Sequence, residues 1–157
     1  MKNIVKELFS TVISSFIFVM LIVNFIFSPV HIDGHSMDPT LSDGSYGIAG
    51  IINRFFGLER FDIVTIELDN HDYIIKRIIG LPNETIEVID NHLYIDGIYY
   101  EESFLANDTI TNDFKIILGE DEYFVMGDNR QNSSDSRYYG PFESKQIKTR
   151  GVFIILG

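Results

Sequence analysis

Ser36 lies in HIDGHSMDPTL, residues 31–41, between two histidines upstream and an Asp-Pro turn downstream. A serine becomes a useful nucleophile only when a base takes its proton. His35 is the obvious candidate, but neighbouring side chains in extended chain point to opposite faces, so it turns away from Ser36. A triad histidine has to come from elsewhere in the fold. The other three, His31, His71 and His92, stand in no setting that marks them for that role. His31, Asp33 and His35 share one face of an extended segment, as two imidazoles and a carboxylate of a metal site would. Gly34 bends the chain there and no further ligands cluster nearby, so no metal and no cofactor are expected.

A second segment offers a different base. In YIIKRIIGLP, residues 73–82, Lys76 and Arg77 interrupt an apolar strand. By alternation Ile74, Lys76 and Ile78 share one face and Ile75, Arg77 and Ile79 the other, so one face buries a cation. Burial disfavours charged lysine and leaves an amine able to accept a proton. The alternative is a lysine that snorkels to solvent or pairs with a carboxylate. A third segment, YFVMGDNRQNSSDSRYYGPF at 123–142, is a strand followed by a loop dense in Asp, Asn, Ser and Arg. Such side chains bond to the backbone and to one another, which can make a loop rigid without a core beneath it.

These segments need elements to hold them. Leu8–Val30 contains no charged residue, Lys2 and Lys6 precede it, and no Lys or Arg follows until Arg54. The run is long enough to span a bilayer, and the positive-inside rule places the N-terminus in the cytoplasm and the rest outside. A cleaved leader would end in small residues, whereas this run ends Ile26-Phe27-Ser28-Pro29, so an uncleaved anchor is expected. Residues 1–29 thus form a cytoplasmic tip and anchor, and residues 30–157 one extracytoplasmic domain, in a chain too short for two full-sized ones.

The remainder reads as β. Strands are expected at Val30–Asp33, Tyr46–Ala49, Asp62–Glu67, Tyr73–Ile79, Thr85–Ile89, His92–Ile95, Tyr123–Met126 and Gly151–Leu156, with a short one near Phe114–Leu118. Asp43-Gly44, Asp90-Asn91 and Asp96-Gly97 punctuate them. Residues 101–121 otherwise read as acidic loop. The fold class is mainly β, a sandwich or partly closed barrel behind one transmembrane helix. The patch IAGIINRFFGL, residues 48–58, is either buried or an apolar edge resting on the bilayer. With 23 acidic against 12 basic residues, nucleic acid is not a partner. The absence of cysteine excludes a thiol nucleophile.

Together the segments resemble the bacterial type I signal peptidases, serine proteases that remove signal peptides from exported proteins. Ser36–Leu41 looks like the nucleophile box and Tyr73–Pro82 the lysine box. Arg60–Val64 is similar to a family strand, and Gly127–Arg137 is the most specific match. The resemblance implies Ser36 as nucleophile, Lys76 as general base and Ser133 as the group that aims the lysine. Asp128, Arg77, Asp135 and Arg137 would form an ionic scaffold. Ile32, Met37, Leu41, Ile74 and Ile75 would line shallow pockets for the small residues before the cut. Gly34 stands where some members carry an oxyanion-hole serine, so the hole would rest on the Ser36 N–H and one further donor. Asn83-Glu84 replaces the family's Gly-Asp, and Phe61 the usual Gly before Asp62, a change expected to matter little. The large second domain of some members is absent, with 45 residues between Gly80 and Met126.

The implied substrates are signal peptides of exported preproteins, cut after small residues, with the bilayer and the export translocon as partners. Self-cleaving Ser–Lys repressors share the fold type but are soluble. A peptidase of narrow substrate range, or a silent assembly factor in pilus or protein export, are the other readings, although the silent protein should have lost Ser36 or Lys76.

Overall fold

The computed structural model describes residues 2–156. Helix α1, Lys2–Ile26, ends where strand β1 begins at Phe27, so Phe27–Pro29 belong to the sheet rather than to the anchor. Its stretch Lys6–Ile26 has a mean hydropathy of 2.3 and is long enough to cross a membrane. Phe16, Phe18, Leu21 and Phe25 are exposed along it.

The domain after the helix consists of two antiparallel sheets. The strands are β1 (Phe27–His31), β2 (Tyr46–Gly50), β3 (Ile63–Glu67), β4 (Tyr73–Gly80), β5 (Thr85–Ile89), β6 (His92–Ile95), β7 (Ile98–Tyr100), β8 (Phe114–Ile117), β9 (Glu122–Met126), β10 (Phe142–Glu143) and β11 (Ile147–Leu156). A seven-stranded sheet runs β1-β2-β11-β3-β4-β9-β10, and a four-stranded one β7-β6-β5-β8. Two strands went unread in the sequence. Strand β7 follows Asp96-Gly97, both at positive φ (51° and 79°), which is the two-residue hairpin turn that Asp-Gly favours. Strand β10 is a two-residue pairing with β9, too short to show a period.

The sheets are joined by one core. Ile79 on β4 packs with Ile86, Val88, Leu93, Ile95, Leu118 and Phe124, while Ile78 packs with Val64, Ile66, Val125 and Ile147 on the other face. A full set of such side chains, each worth about 1.5–3 kcal/mol when buried, fixes β4 in its register. That register positions Lys76 and Arg77.

Two positions carry unusual backbone. Asn83 has φ 67°, the left-handed conformation that asparagine tolerates, so the turn survives its Gly-Asp to Asn-Glu exchange. Phe61 has φ 69° and is therefore a bulky residue in a glycine-type conformation, a larger departure than the sequence suggested. Its ring packs at 5.2 Å from Phe104 and 6.5 Å from Tyr100, and this packing offsets the strain.

The apolar patch divides. Ala49 and Gly50 are buried in β2, whereas Phe55 and Phe56 are exposed in a 3-10 turn spanning Ile52–Phe56. Phe153, Ile155 and Leu156 on β11 are exposed as well. Strand β11 pairs with β2, the neighbour of the strand that leaves α1.

Candidate active site

Lys76 is only 4% exposed and brings its amine 2.8 Å from Ser36 Oγ. A second bond, also 2.8 Å, runs from Nζ to the Ile75 carbonyl. Burial pulls the lysine pKa from 10.5 to about 8, against the opposing fields of Asp135 and Asp128. The Ser36 turn is fixed from below. Met37 and Leu41 are buried with Ile32, and backbone bonds from Asp38 to His35 and from Leu41 to Met37 close the turn. His35 points elsewhere, with Nδ1 2.9 Å from Asp38 and its side chain 59% exposed. His31 stacks on Tyr46, and His71 and His92 bond to Glu67 and to the Asp90 carbonyl. No histidine is placed to serve Ser36.

The loop after β9 holds the pair from the other side. Ser133 Oγ donates to Asp135 Oδ2 at 2.8 Å, and the Lys76 amine donates to Ser36 and Ile75 instead. Ser133 thus lies beside the dyad, its hydrogen committed to Asp135. Asp135 itself is fully buried. Burial opposes its charge, but donors from Arg137, the Gly127 N–H and Ser133 hold its carboxyl below the usual range. Arg77 grips Asp128 with two bonds, 2.8 and 2.6 Å, and donates to the Phe61 carbonyl. Thr40 donates to the same Asp128 carboxylate and ties the Ser36 turn to the ion pair. Asp128, Arg77, Asp135 and Arg137 therefore form two separate ion pairs rather than one network.

A cleft of about 500 Å³ opens at Ile75, the residue before Lys76, although neither Ser36 nor Lys76 lines it. Val30 and His31 of β1 and Tyr73 and Ile75 of β4 are its walls, and Thr65 and Thr149 lie between them. Strand β9 pairs with β4 only from Arg77 onward, so Tyr73–Lys76 keeps one edge free for an extended peptide. Ile32, Met37, Leu41 and Ile75 gather in one apolar cluster at the Ser36 turn. Ile74 does not; it packs on the opposite face with Val64 and Ile66. Gly34 has φ 100°, and its N–H already donates to Asp43 at 2.7 Å, which removes it as an oxyanion donor.

Residues 5–156 match the family described as signal peptidase, peptidase S26. The chain belongs to this family. It is 37% identical to signal peptidase I of Bacillus amyloliquefaciens over 98% of this chain and 89% of that one. It is similar to signal peptidase I S of Bacillus subtilis (strain 168) at 37%, over 98% of this chain and 90% of the relative. A crystal structure of a signal peptidase I from Enterococcus faecalis V583 aligns with a TM-score of 0.57 at 34% identity, covering 60% of this chain and 97% of that one.

In this member of the signal peptidase family, several residues escaped the sequence reading. Arg130 is buried against Glu102 and Thr111 and donates to the Gly127 carbonyl at 3.1 Å. Phe104 lies under the Arg77 guanidinium at 4.1 Å. Glu102, Phe104 and Thr111 come from the segment 101–121, which showed no period and read as plain loop. Removing one member of a buried ion pair strands the other, a loss of about 3–5 kcal/mol. Glu102→Ala is accordingly expected to lower stability by about 3 kcal/mol in chemical denaturation. An unchanged midpoint would show that Arg130 does not depend on Glu102.

Proposed function

We propose that this protein is a membrane-anchored endopeptidase that removes signal peptides from exported preproteins with a Ser36–Lys76 dyad. The observation that carries this reading is the 2.8 Å contact between Ser36 Oγ and a lysine amine whose pKa burial lowers to about 8. When the amine is neutral the bond reverses, and the serine hydroxyl donates to Nζ. Ser36 Oγ then attacks the scissile carbonyl while Nζ takes its proton. The lysine ammonium returns that proton to the leaving amine, and water, deprotonated by the same amine, releases the acyl group.

The substrate lies extended in the cleft, adding a strand to the free edge of β4. The apolar cluster of Ile32, Met37, Leu41 and Ile75 suits small apolar side chains before the cut, such as alanine. Helix α1 spans the bilayer with its lysines on the cytoplasmic side, and the domain works on the outer face. The exposed Phe55, Phe56, Phe153 and Leu156 suit contact with lipid beside the anchor.

The test uses the full chain in detergent and a preprotein with alanine at the first and third positions before the cut. Cleavage is expected, with loss when either alanine becomes leucine, and His35→Ala is expected to cut as the parent does. Inertness on several preproteins would favour a narrow substrate range or an assembly role. The base must be neutral, so kcat/KM is expected to rise with pH, about tenfold per unit, and to level off above about 8. A profile that breaks near the ordinary histidine range would point to another base.

A further inference from the structure

Asn129 holds both peptide groups that flank Ser36. Its side-chain Nδ2 donates to the His35 carbonyl at 3.0 Å, and its backbone N–H donates to the Ser36 carbonyl at 3.0 Å. The first of these bonds acts on the His35–Ser36 peptide, which is trans. In a trans peptide the C=O and N–H point in opposite directions across one rigid plane. Anchoring the His35 oxygen therefore sets the direction of the Ser36 N–H, which faces away from the Asn129 carboxamide. That N–H has no acceptor within the protein among the described residues. The neighbouring candidate, the Gly34 N–H, is spent on Asp43. A hydrogen bond to a carbonyl also polarises the N–H of the same amide.

Resting on the reading of Ser36 as nucleophile, we propose that Asn129 is a positioning residue for the oxyanion. Its carboxamide orients and polarises the Ser36 N–H toward the oxygen that becomes negative as the carbonyl is attacked. A donor aimed at developing charge acts on the transition state more than on bound substrate. The role belongs to the side chain, because the backbone bond from residue 129 to Ser36 survives any substitution there. An aspartate is of the same shape, but its carboxylate cannot donate to the His35 oxygen and repels it.

The experiment measures kcat and KM for the parent, Asn129→Ala and Asn129→Asp on the same alanine-bearing preprotein, from about pH 6 to 10, together with melting temperatures. Both variants are expected to lose about 10- to 100-fold in kcat, the aspartate at least as much as the alanine. KM is expected to stay within about twofold, with the midpoint of the pH profile unmoved. A kcat within about twofold of the parent, a loss carried by KM, or a shifted midpoint overturns the proposal. So does a loss matched by a collapse of the melting temperature, which would mark a merely structural clamp. A parent inert on the preprotein overturns the serine reading and this proposal with it, whereas an active parent with unaffected variants overturns this proposal alone.

Discussion

Lys76→Met is expected to be inactive and more stable than the parent. Without the base, cleavage should fall by about 10⁴-fold or more, as it should in Ser36→Ala. The stability gain follows from the cost of holding an ammonium in the interior. The lysine pKa drops from 10.5 to about 8 on folding, and each unit is worth 1.36 kcal/mol, or about 3 kcal/mol in all at pH 7. Between pH 8 and 10.5 the unfolded chain binds a proton that the folded chain has released. Stability of the parent therefore rises through that window. Methionine fills nearly the same space with no proton to hold, so the variant lacks the rise. The gap between variant and parent should be widest below about pH 8 and close near 10.5. Thermal melts at pH 7 and pH 10 read it directly, with a shift of several degrees expected at the lower pH. A variant less stable than the parent at pH 7 would mean that the hydrogen bonds of Lys76 outweigh its desolvation. A stable and active one would remove the lysine from the mechanism. The expected result places the cost of function in one side chain.

What the sequence disclosed follows from what leaves a local trace. An interrupted apolar strand revealed Lys76 and Arg77, because alternation forces a cation indoors wherever both faces are apolar. The helix, the Asp-Gly turns and the nearly alternating strands were legible for the same reason: each is a pattern within a few residues. That the His35 side chain turns away from Ser36 followed from chain geometry alone. What stayed hidden was tertiary. Glu102 meets Arg130 across 28 residues, and nothing in a polar acidic stretch distinguishes a buried carboxylate from a solvated one. Alternation put Ile74 and Ile75 on opposite faces but did not say which face meets the core: Ile74 packs there, and Ile75 lines the cleft. The conformation of Phe61 was hidden too, since a bulky residue accepts positive φ only when distant aromatic rings hold it there. Gly34 was named for the side chain it lacks, and its backbone N–H turned out to be taken by Asp43.

Gly127→Ala is expected to abolish activity although it adds only a methyl group. A Cβ built on Gly127 falls 2.6 Å from the Ser133 Cβ and closer still to Ser133 Oγ and the Ser36 carbonyl oxygen. None of these neighbours can yield cheaply. The Ser36 carbonyl is backbone, and it accepts from the Asn129 N–H. Ser133 is held by Asp135, and Asp135 also takes the Gly127 N–H. Arg130 grips the Gly127 carbonyl. The methyl must therefore push the nucleophile turn and the loop apart, and the 2.8 Å contact between Ser36 and Lys76 lies at that seam. A misplacement of about 1 Å costs roughly 100-fold in rate, and loss of the proton-transfer contact adds to it, so kcat should drop about 10³-fold. Overpacking should cost only about 1–3 kcal/mol of stability, leaving the protein folded. Gly119→Ala is the control, since the nearest atom to its added Cβ is the flexible Glu122 carboxylate at 3.3 Å. Parallel kcat and melting measurements on the two variants decide the matter. If Gly127→Ala cuts like Gly119→Ala, the seam is looser than the geometry requires. If it is folded and inert, the nucleophile turn and the loop after β9 must meet without a methyl group between them for the dyad to form.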